Sequence, residues 1–299
     1  MNTAKATACV LGAGVLWGCI SLFVRALDAA GLSSMEISDV RMVVGTVGML
    51  VVLLATDPTK LRIRPRDIWL FIGTGVVSVT LFNVCYFTCI SLSEASIAVV
   101  LLYTSPIFVM LMSALFFRER ITRRKVVAVC LTFVGCVLVA GMLGGQVVLS
   151  PAALAAGVAS GFFYATYSIF GRKALERYDT LTITFYTFFM GMLASTLLGD
   201  PVHTVAVALS DPPFVLWYLG LGVLCTIAPY LLYTTGLKYL ETSRAAILAT
   251  VEPLVGSLLG IFAYGESTGA AKLLGMGLIL ASVILVNLPQ RDARKSAGE

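Results

Sequence analysis

The chain has 299 residues, 59% of them hydrophobic and 12% charged, and its mean hydropathy is +0.95. Soluble domains run at about 45–50% apolar and about 25% charged, so a water-soluble globule is excluded and most of the apolar surface must face lipid. The formal net charge of +5 does not point to nucleic acid, because the Lys and Arg residues sit in short links between apolar runs, where the positive-inside rule puts them.

About 20 apolar residues cross a bilayer as a helix, and the hydropathy predicts ten such segments. They run over residues 6–27, 36–55, 67–91, 95–117, 124–143, 151–171, 179–199, 212–237, 242–264 and 270–288. The fold class expected is therefore an all-α membrane protein of ten transmembrane helices. The links are short and rich in Gly, Pro, Asp and basic residues, and leave no room for a soluble domain. Leu16-Trp17-Gly18-Cys19 has the outline of a lipoprotein cleavage box, but Trp is too large for a position that needs a small residue, so the first segment is read as a retained helix. The tail from Arg291 to Glu299 is polar and is read as loose.

With the N-terminus in the cytoplasm, the cytoplasmic links carry Lys5, Lys60, Arg62, Arg64, Arg66, Arg118, Arg120, Arg123, Arg124, Lys125, Arg172, Lys173, Arg177, Lys238, Arg244, Arg291, Arg294 and Lys295. That leaves Arg25, Arg41 and Lys272 of the 21 basic residues elsewhere. The bias places both termini in the cytoplasm. The chain also repeats itself. At an offset of 147, without a gap, Tyr86 recurs as Tyr233, Thr88 as Thr235, Glu94 as Glu241, Ser96 as Ser243, Pro106 as Pro253, Glu119 as Glu266 and Lys125 as Lys272. Further upstream Gly14 recurs as Gly161, Ser21 as Ser168 and Arg25 as Arg172. This reads as a duplication, residues 1–147 and 148–299, within one integrated membrane domain. Five helices per repeat is an odd number, so the second copy enters the membrane from the opposite face and the two five-helix repeats are inverted. Gly14-x-x-x-Gly18, Gly157-x-x-x-Gly161 and Gly256-x-x-x-Gly260 have the spacing of close helix crossings, static or moving.

Within the apolar runs Glu252 stands out. A charge near the middle of a bilayer costs about 2.5–3.5 kcal/mol on insertion scales and belongs in the protein interior or a water-filled cavity. It is read as a substrate-binding carboxylate that couples transport to protons, against the alternative of a buried architectural carboxylate. Pro253 follows it. Pro106 is its repeat mate, and Pro229 stands in the eighth segment; each removes a backbone donor and breaks a helix where transporters bind substrate. Asp39 and Arg41, with Glu36 at the mouth of the second segment, are read as an interfacial ion pair or snorkelling residues, with a gate for a zwitterion as the alternative. Trp17, Tyr86, Tyr103, Tyr164, Tyr230 and Tyr233, with Asn83, are read as an aromatic-lined substrate pocket rather than core packing alone. His203 is read as a solvated loop residue. The seven Cys lie inside apolar runs, odd in number and without metal-ligand or disulfide spacing, and are read as small hydrophobes. No catalytic motif, metal site, cofactor site or nucleotide-binding region is found, so no enzyme is expected and gradients must drive any transport.

Taken in order and at one offset, Leu16-Trp17-Gly18, Arg41, Leu101-Leu102-Tyr103-Thr104-Ser105-Pro106 with Arg118-Glu119-Arg120, Arg172-Lys173, and Glu252-Pro253 with Gly265-Glu266 resemble the drug/metabolite transporter superfamily, in its EamA-type ten-helix branch. The resemblance covers nearly the whole chain. It implies a central cavity between two repeats, peripheral fifth and tenth helices, alternating access, and small-metabolite substrates, commonly amino acids and often exported. The cavity has no obvious pair of basic residues, against phosphate-bearing substrates. The expectation is a secondary transporter of amino acids or related amines in the cytoplasmic membrane. Its partners are the substrate, the lipid bilayer and protons as coupling ions, without nucleic acid or an obligate protein partner. The alternatives are a non-transporting receptor or scaffold, or a choline or organic-cation uptake carrier.

Overall fold

The computed structural model describes residues 1–142, 149–210, 212–266 and 268–288; Arg291, Arg294, Lys295 and the rest of the polar tail lie outside them. The described residues are helical, and helices occur at all ten places the hydropathy marks. They are α1 Thr3–Ala29, α2 Ser34–Thr56, α3 Pro65–Leu92, α4 Ala95–Phe117, α5 Arg123–Val139, α6 Pro151–Ala174, α7 Thr180–Ser195, α8 Pro213–Leu237, α9 Thr242–Tyr264 and α10 Ala270–Asn287. A short helix, Pro201–Ser210, joins α7 to α8. Eight of these helices are long and apolar enough to cross a membrane. The two others, α5 with 17 residues and α7 with 16, are shorter. Their outward surfaces are apolar: Leu115 is 74% and Phe262 82% exposed, which only a lipid solvent tolerates on this scale. This is a multi-pass membrane protein.

Local chemistry explains where the helices start, stop and break. Ser33 and Glu36 form a reciprocal cap on α2, and Thr122, Ser150 and Asp179 accept from the first turns of α5, α6 and α7. α4 is interrupted at Tyr103 and Thr104, one step before Ser105-Pro106, and α9 at Thr250 and Val251, one step before Glu252-Pro253. Proline cannot donate to the carbonyl one turn back and its ring crowds that carbonyl, so both helices restart after a turn. The interruptions fall 147 residues apart. So do the ends of the two helices, Arg118 and Gly265, both left-handed with φ of 56° and 64°. α3 and α8 each contain a stretch of wider turns, Gly73–Leu81 and Val223–Ile227, a geometry often found at functional sites.

Two glycines of the repeat explain how the breaks are packed. A Cβ on Gly14 of α1 would strike Val251 and the Ala249 carbonyl at the break of α9; one on Gly161 of α6 would strike Thr104 and the carbonyls of Leu101 and Leu102 at the break of α4. Only a residue without a side chain lets the backbones approach this closely. α5 and α10 pack on each other, where Gly135 meets Gly275 and Thr132 bonds Ser282 at 2.7 Å.

Candidate functional site

Between the helices lie two adjoining cavities that share Trp17, Arg41, Phe82, Asn83, Tyr103 and Glu252. The deeper, about 100 Å³, is more enclosed. The second, about 530 Å³, widens toward the face that carries Arg25, Glu266 and Lys272. Together they have the size and the mainly apolar lining, with a few polar groups, of a small-molecule site.

The breaks of α4 and α9 point into this space. The turn at Tyr103 presents its ring, and the restart of α9 presents the Glu252 carboxylate. Among the described residues Glu252 makes no hydrogen bond and no ion pair, although it lines both cavities. A carboxylate held among helices without a protein partner is costly unless water or a ligand meets it. Arg41 of α2 lines the same two cavities and donates through Nε to Thr226 Oγ1 at 3.2 Å, within the wide-turn stretch of α8. The other four of the five guanidinium N–H donors make no hydrogen bond among the described residues and remain for a ligand.

The aromatic residues surround these charges. Trp17 meets Tyr230 edge-on and Tyr233 at a tilt, both at 5.5 Å between ring centroids. Tyr230 meets Tyr167 at 5.1 Å. On the other side Phe82 lies between Tyr86 at 5.7 Å and Tyr164 at 5.3 Å. Two hydroxyls are committed to other helices: Tyr233 bonds Ser168 at 2.7 Å, and Tyr167 bonds Thr234 at 2.7 Å. Asn83 donates to Ser38 at 2.5 Å. Trp17, Asn83, Tyr103, Tyr164, Tyr230, Tyr233, Pro106 and Glu252 thus line the deeper cavity, and Tyr86 and Pro253 the wider one. Pro229 lines neither; it is buried where α8 resumes after its wide turns.

Two expectations change. Asp39 and Arg41 form no ion pair. They stand two residues apart on α2, and side chains at that spacing leave opposite faces of a helix. Asp39 instead accepts from Ser195 at 2.6 Å and Thr196 at 2.8 Å at the end of α7, while Arg41 enters the cavity. His203 is not a free loop residue: it sits on the short helix Pro201–Ser210 and bonds Glu36 at 2.7 Å. Sequence reading placed Arg41 at the interface and missed it as a cavity residue. The signal was its position inside a membrane-length segment, the same rule that singled out Glu252; the repeat pattern passes over it, because Phe188 stands 147 residues on.

The EamA-like transporter family matches residues 4–141 and again 151–288, two stretches that begin and end 147 residues apart. An "Uncharacterized transporter" of Archaeoglobus fulgidus is 30% identical over 93% of this chain and 94% of its own length. An "Uncharacterized inner membrane transporter YicL" of Salmonella typhimurium is 27% identical over 99% of each. A crystal structure with 19% identity superposes with a TM-score of 0.78 over 95% of this chain and 96% of its own, a likeness of fold.

Proposed function

The chain belongs to the EamA-like transporter family, a family of transporters and not of enzymes, and on that premise we propose that it is a secondary transporter that exports amino acids or related amines across the inner membrane by alternating access. In this reading all ten helices cross the membrane as two inverted five-helix repeats, residues 1–147 and 148–299, with both termini cytoplasmic. The two family matches 147 residues apart, the paired breaks of α4 and α9 and the bias of basic residues support it.

The observation that carries the substrate class is the pairing of one guanidinium and one carboxylate on the same two cavities. Arg41 offers a fork for a carboxylate. Glu252 with the rings of Trp17, Tyr103 and Tyr164 offers an acceptor and π faces for an ammonium group. A zwitterion satisfies both ends; a simple organic cation leaves Arg41 facing a like charge, which disfavours choline uptake. Export is the direction that the family resemblance favours. Protons are the coupling ion that a titratable carboxylate lining both cavities serves best.

Counterflow of labelled amino acids into liposomes that hold the purified protein tests the reading. A zwitterionic amino acid exchanges, while its decarboxylated amine and its deaminated acid exchange at least about tenfold more slowly, one charge-assisted contact being worth about 1.5–3 kcal/mol. Equal exchange of the amine and the zwitterion removes Arg41 from recognition. No counterflow with any small metabolite leaves the receptor or scaffold reading.

A further inference from the structure

The repeat places the same polar residues at both ends of the cavity, and the two ends are in opposite states. At the closed end Glu119, between α4 and α5, accepts from the Thr242 amide at 2.6 Å, the Ser243 amide at 3.2 Å and the Ser243 hydroxyl at 2.6 Å, so that a carboxylate of the first half caps the start of α9 in the second. Lys125 sits beside it, 3.6 Å from Glu119 and 2.8 Å from Glu241. Arg172 donates to the carbonyls of Leu237 and Leu240 at 2.5 and 3.1 Å, and Ser168 bonds Tyr233. The Glu119 side chain is 10% exposed and that of Lys125 6%.

At the wide end each counterpart is present and differently engaged. Glu266 pairs with Arg25 at 2.8 Å and Lys272 at 3.1 Å, with side chains 39% and 17% exposed for Glu266 and Lys272. Arg25 lies over the Tyr264 ring at 3.8 Å. Among the described residues the Glu94 carboxylate accepts only from the nearby Ser96 hydroxyl, at 3.3 Å. Ser21 and Tyr86, the mates of Ser168 and Tyr233, both line the wide cavity and do not bond each other. Local geometry is nonetheless conserved between the ends: the Glu119 amide donates to Ser113 and the Glu266 amide to Gly260, again 147 residues on. The difference therefore lies in how helices meet across the cavity.

We infer that Glu119 and Glu266 are alternating gate residues: when the wide end closes, Glu266 leaves Arg25 and caps the start of α4 at Ala95 and Ser96, while Glu119 releases Thr242 and Ser243. In that state Lys272 meets Glu94 as Lys125 now meets Glu241. Arg25 turns to the carbonyls of Ile90 and Ser93 as Arg172 now holds Leu237 and Leu240, and Ser21 meets Tyr86. Each lock thus exists at one end at a time, and the carboxylate freed at one end offsets the one engaged at the other. The inference rests on the transporter reading.

The test uses full-length protein in detergent with Val24→Cys as reporter. Val24 lines the wide cavity, and its counterpart Gly171 is buried against Leu237, so closure buries position 24. The rate of maleimide alkylation at this position, read by mass spectrometry so that the native cysteines stay, reports the open fraction. Glu119→Gln keeps the shape, removes the charge that holds the closed end, and slows alkylation about tenfold, the loss of one charge-assisted contact. Adding Glu266→Gln removes the rival lock and restores the rate to within about threefold of the parent. A merely structural pair lacks this reversal. Ser243→Ala, and then Ser96→Ala, repeat the sequence at about threefold if Glu119→Gln does not fold. The inference is overturned if the first variant of each pair fails to slow alkylation, or if the second leaves the slowed rate unchanged. Counterflow with parent protein separates the two readings, since it persists when only the gate assignment fails.

Discussion

α4 and α9 carry the same backbone and different chemistry. Both break one step before a proline, both are pressed at the break by a glycine of the repeat, and both end in a left-handed residue. Yet Ser105 opens the second half of α4 where Glu252 opens that of α9. Ser105 is 3% exposed, whereas Glu252 is only half-buried and faces both cavities. The recurring part is the part that breaks in both helices. The unpaired part is the Glu252 carboxylate, which has Ser105 as its counterpart. On the proposed transporter reading, the symmetry serves the mechanical cycle and the departure from it serves recognition.

The largest expected effect comes from erasing that departure. Glu252→Gln keeps the shape of the side chain and removes its charge. Uptake or exchange driven by a pH gradient falls at least about tenfold, toward about a hundredfold if the ammonium contact is lost as well, while the melting temperature in detergent holds. Retention of the parent's pH dependence in this variant rules out Glu252 as the coupling carboxylate. Arg41→Gln complements it: the zwitterion loses about tenfold in affinity and the decarboxylated amine loses nothing. A uniform loss for both sinks the assignment of Arg41 to the substrate carboxylate.

Next come the glycines, which test whether the two breaks are packed alike. Gly14→Val and Gly161→Val each force a branched side chain into backbone of the facing helix, for a cost of about 1–3 kcal/mol in overpacking. Thermal unfolding in detergent reads it. Similar drops for the two support equivalent packing; a drop in one variant alone means that only one break depends on close approach.

The aromatic wall separates recognition from packing. Trp17→Ala removes a ring that is 8% exposed and touches Tyr230 and Tyr233. A cation–π contact of about 0.5–2 kcal/mol makes the expected loss of substrate affinity several-fold. If stability falls and the affinity of the remaining folded protein is unaltered, the ring is packing.

Two smaller effects lie at the ends of α4 and α9. Burial opposes ionisation of Glu119, and the hydrogen bonds from Ser243 and Thr242 outweigh it, so its carboxyl lies below the ordinary glutamate value. A depressed carboxylate contributes stability that is present above its unfolded value of about 4.3 and is lost as pH falls through the lower folded value. Lys125 lies 3.6 Å from Glu119 and 2.8 Å from Glu241, which precedes α9. Thermal stability therefore holds from neutral pH to about pH 5 and declines below about pH 4, a decline that Glu119→Gln reduces. The smallest effect is Arg118→Gly. Arg118 is the only non-glycine with positive φ among the described residues, and its counterpart is already Gly265. The substitution relieves about 1 kcal/mol of left-handed strain, raising the melting temperature slightly; a decrease means that the Arg118 side chain contributes more than its backbone costs.

Much of this protein was legible before any coordinates. Hydropathy, the 147-residue offset and the prolines mark the helices, the two family-matched stretches and the two breaks, because each is a local or periodic property of the chain. The spans needed no knowledge of neighbours: a stretch of apolar residues in lipid has no choice but to satisfy its backbone internally. Glu252 was legible for the same reason, as a charge in lipid is costly wherever the other helices lie. The breaks of α4 and α9 were legible because proline acts on its own helix.

The tertiary structure decided what crosses between helices. Asp39 and Arg41 look alike in sequence, two charges in one apolar run, and diverge because opposite faces of α2 meet different neighbours: Ser195 and Thr196 of α7 on one side, the cavity and Thr226 on the other. His203 found Glu36 only because the short helix folds back over the mouth of α2. Pro229 is as strong a breaker in sequence as Pro106, yet it lies in a helix whose wide turns absorb it away from the cavity. The unequal use of Glu119 and Glu266 is invisible in the repeat, which makes them equivalent. Their difference arises from which end of the cavity is closed, a property of how ten helices pack and not of any residue alone.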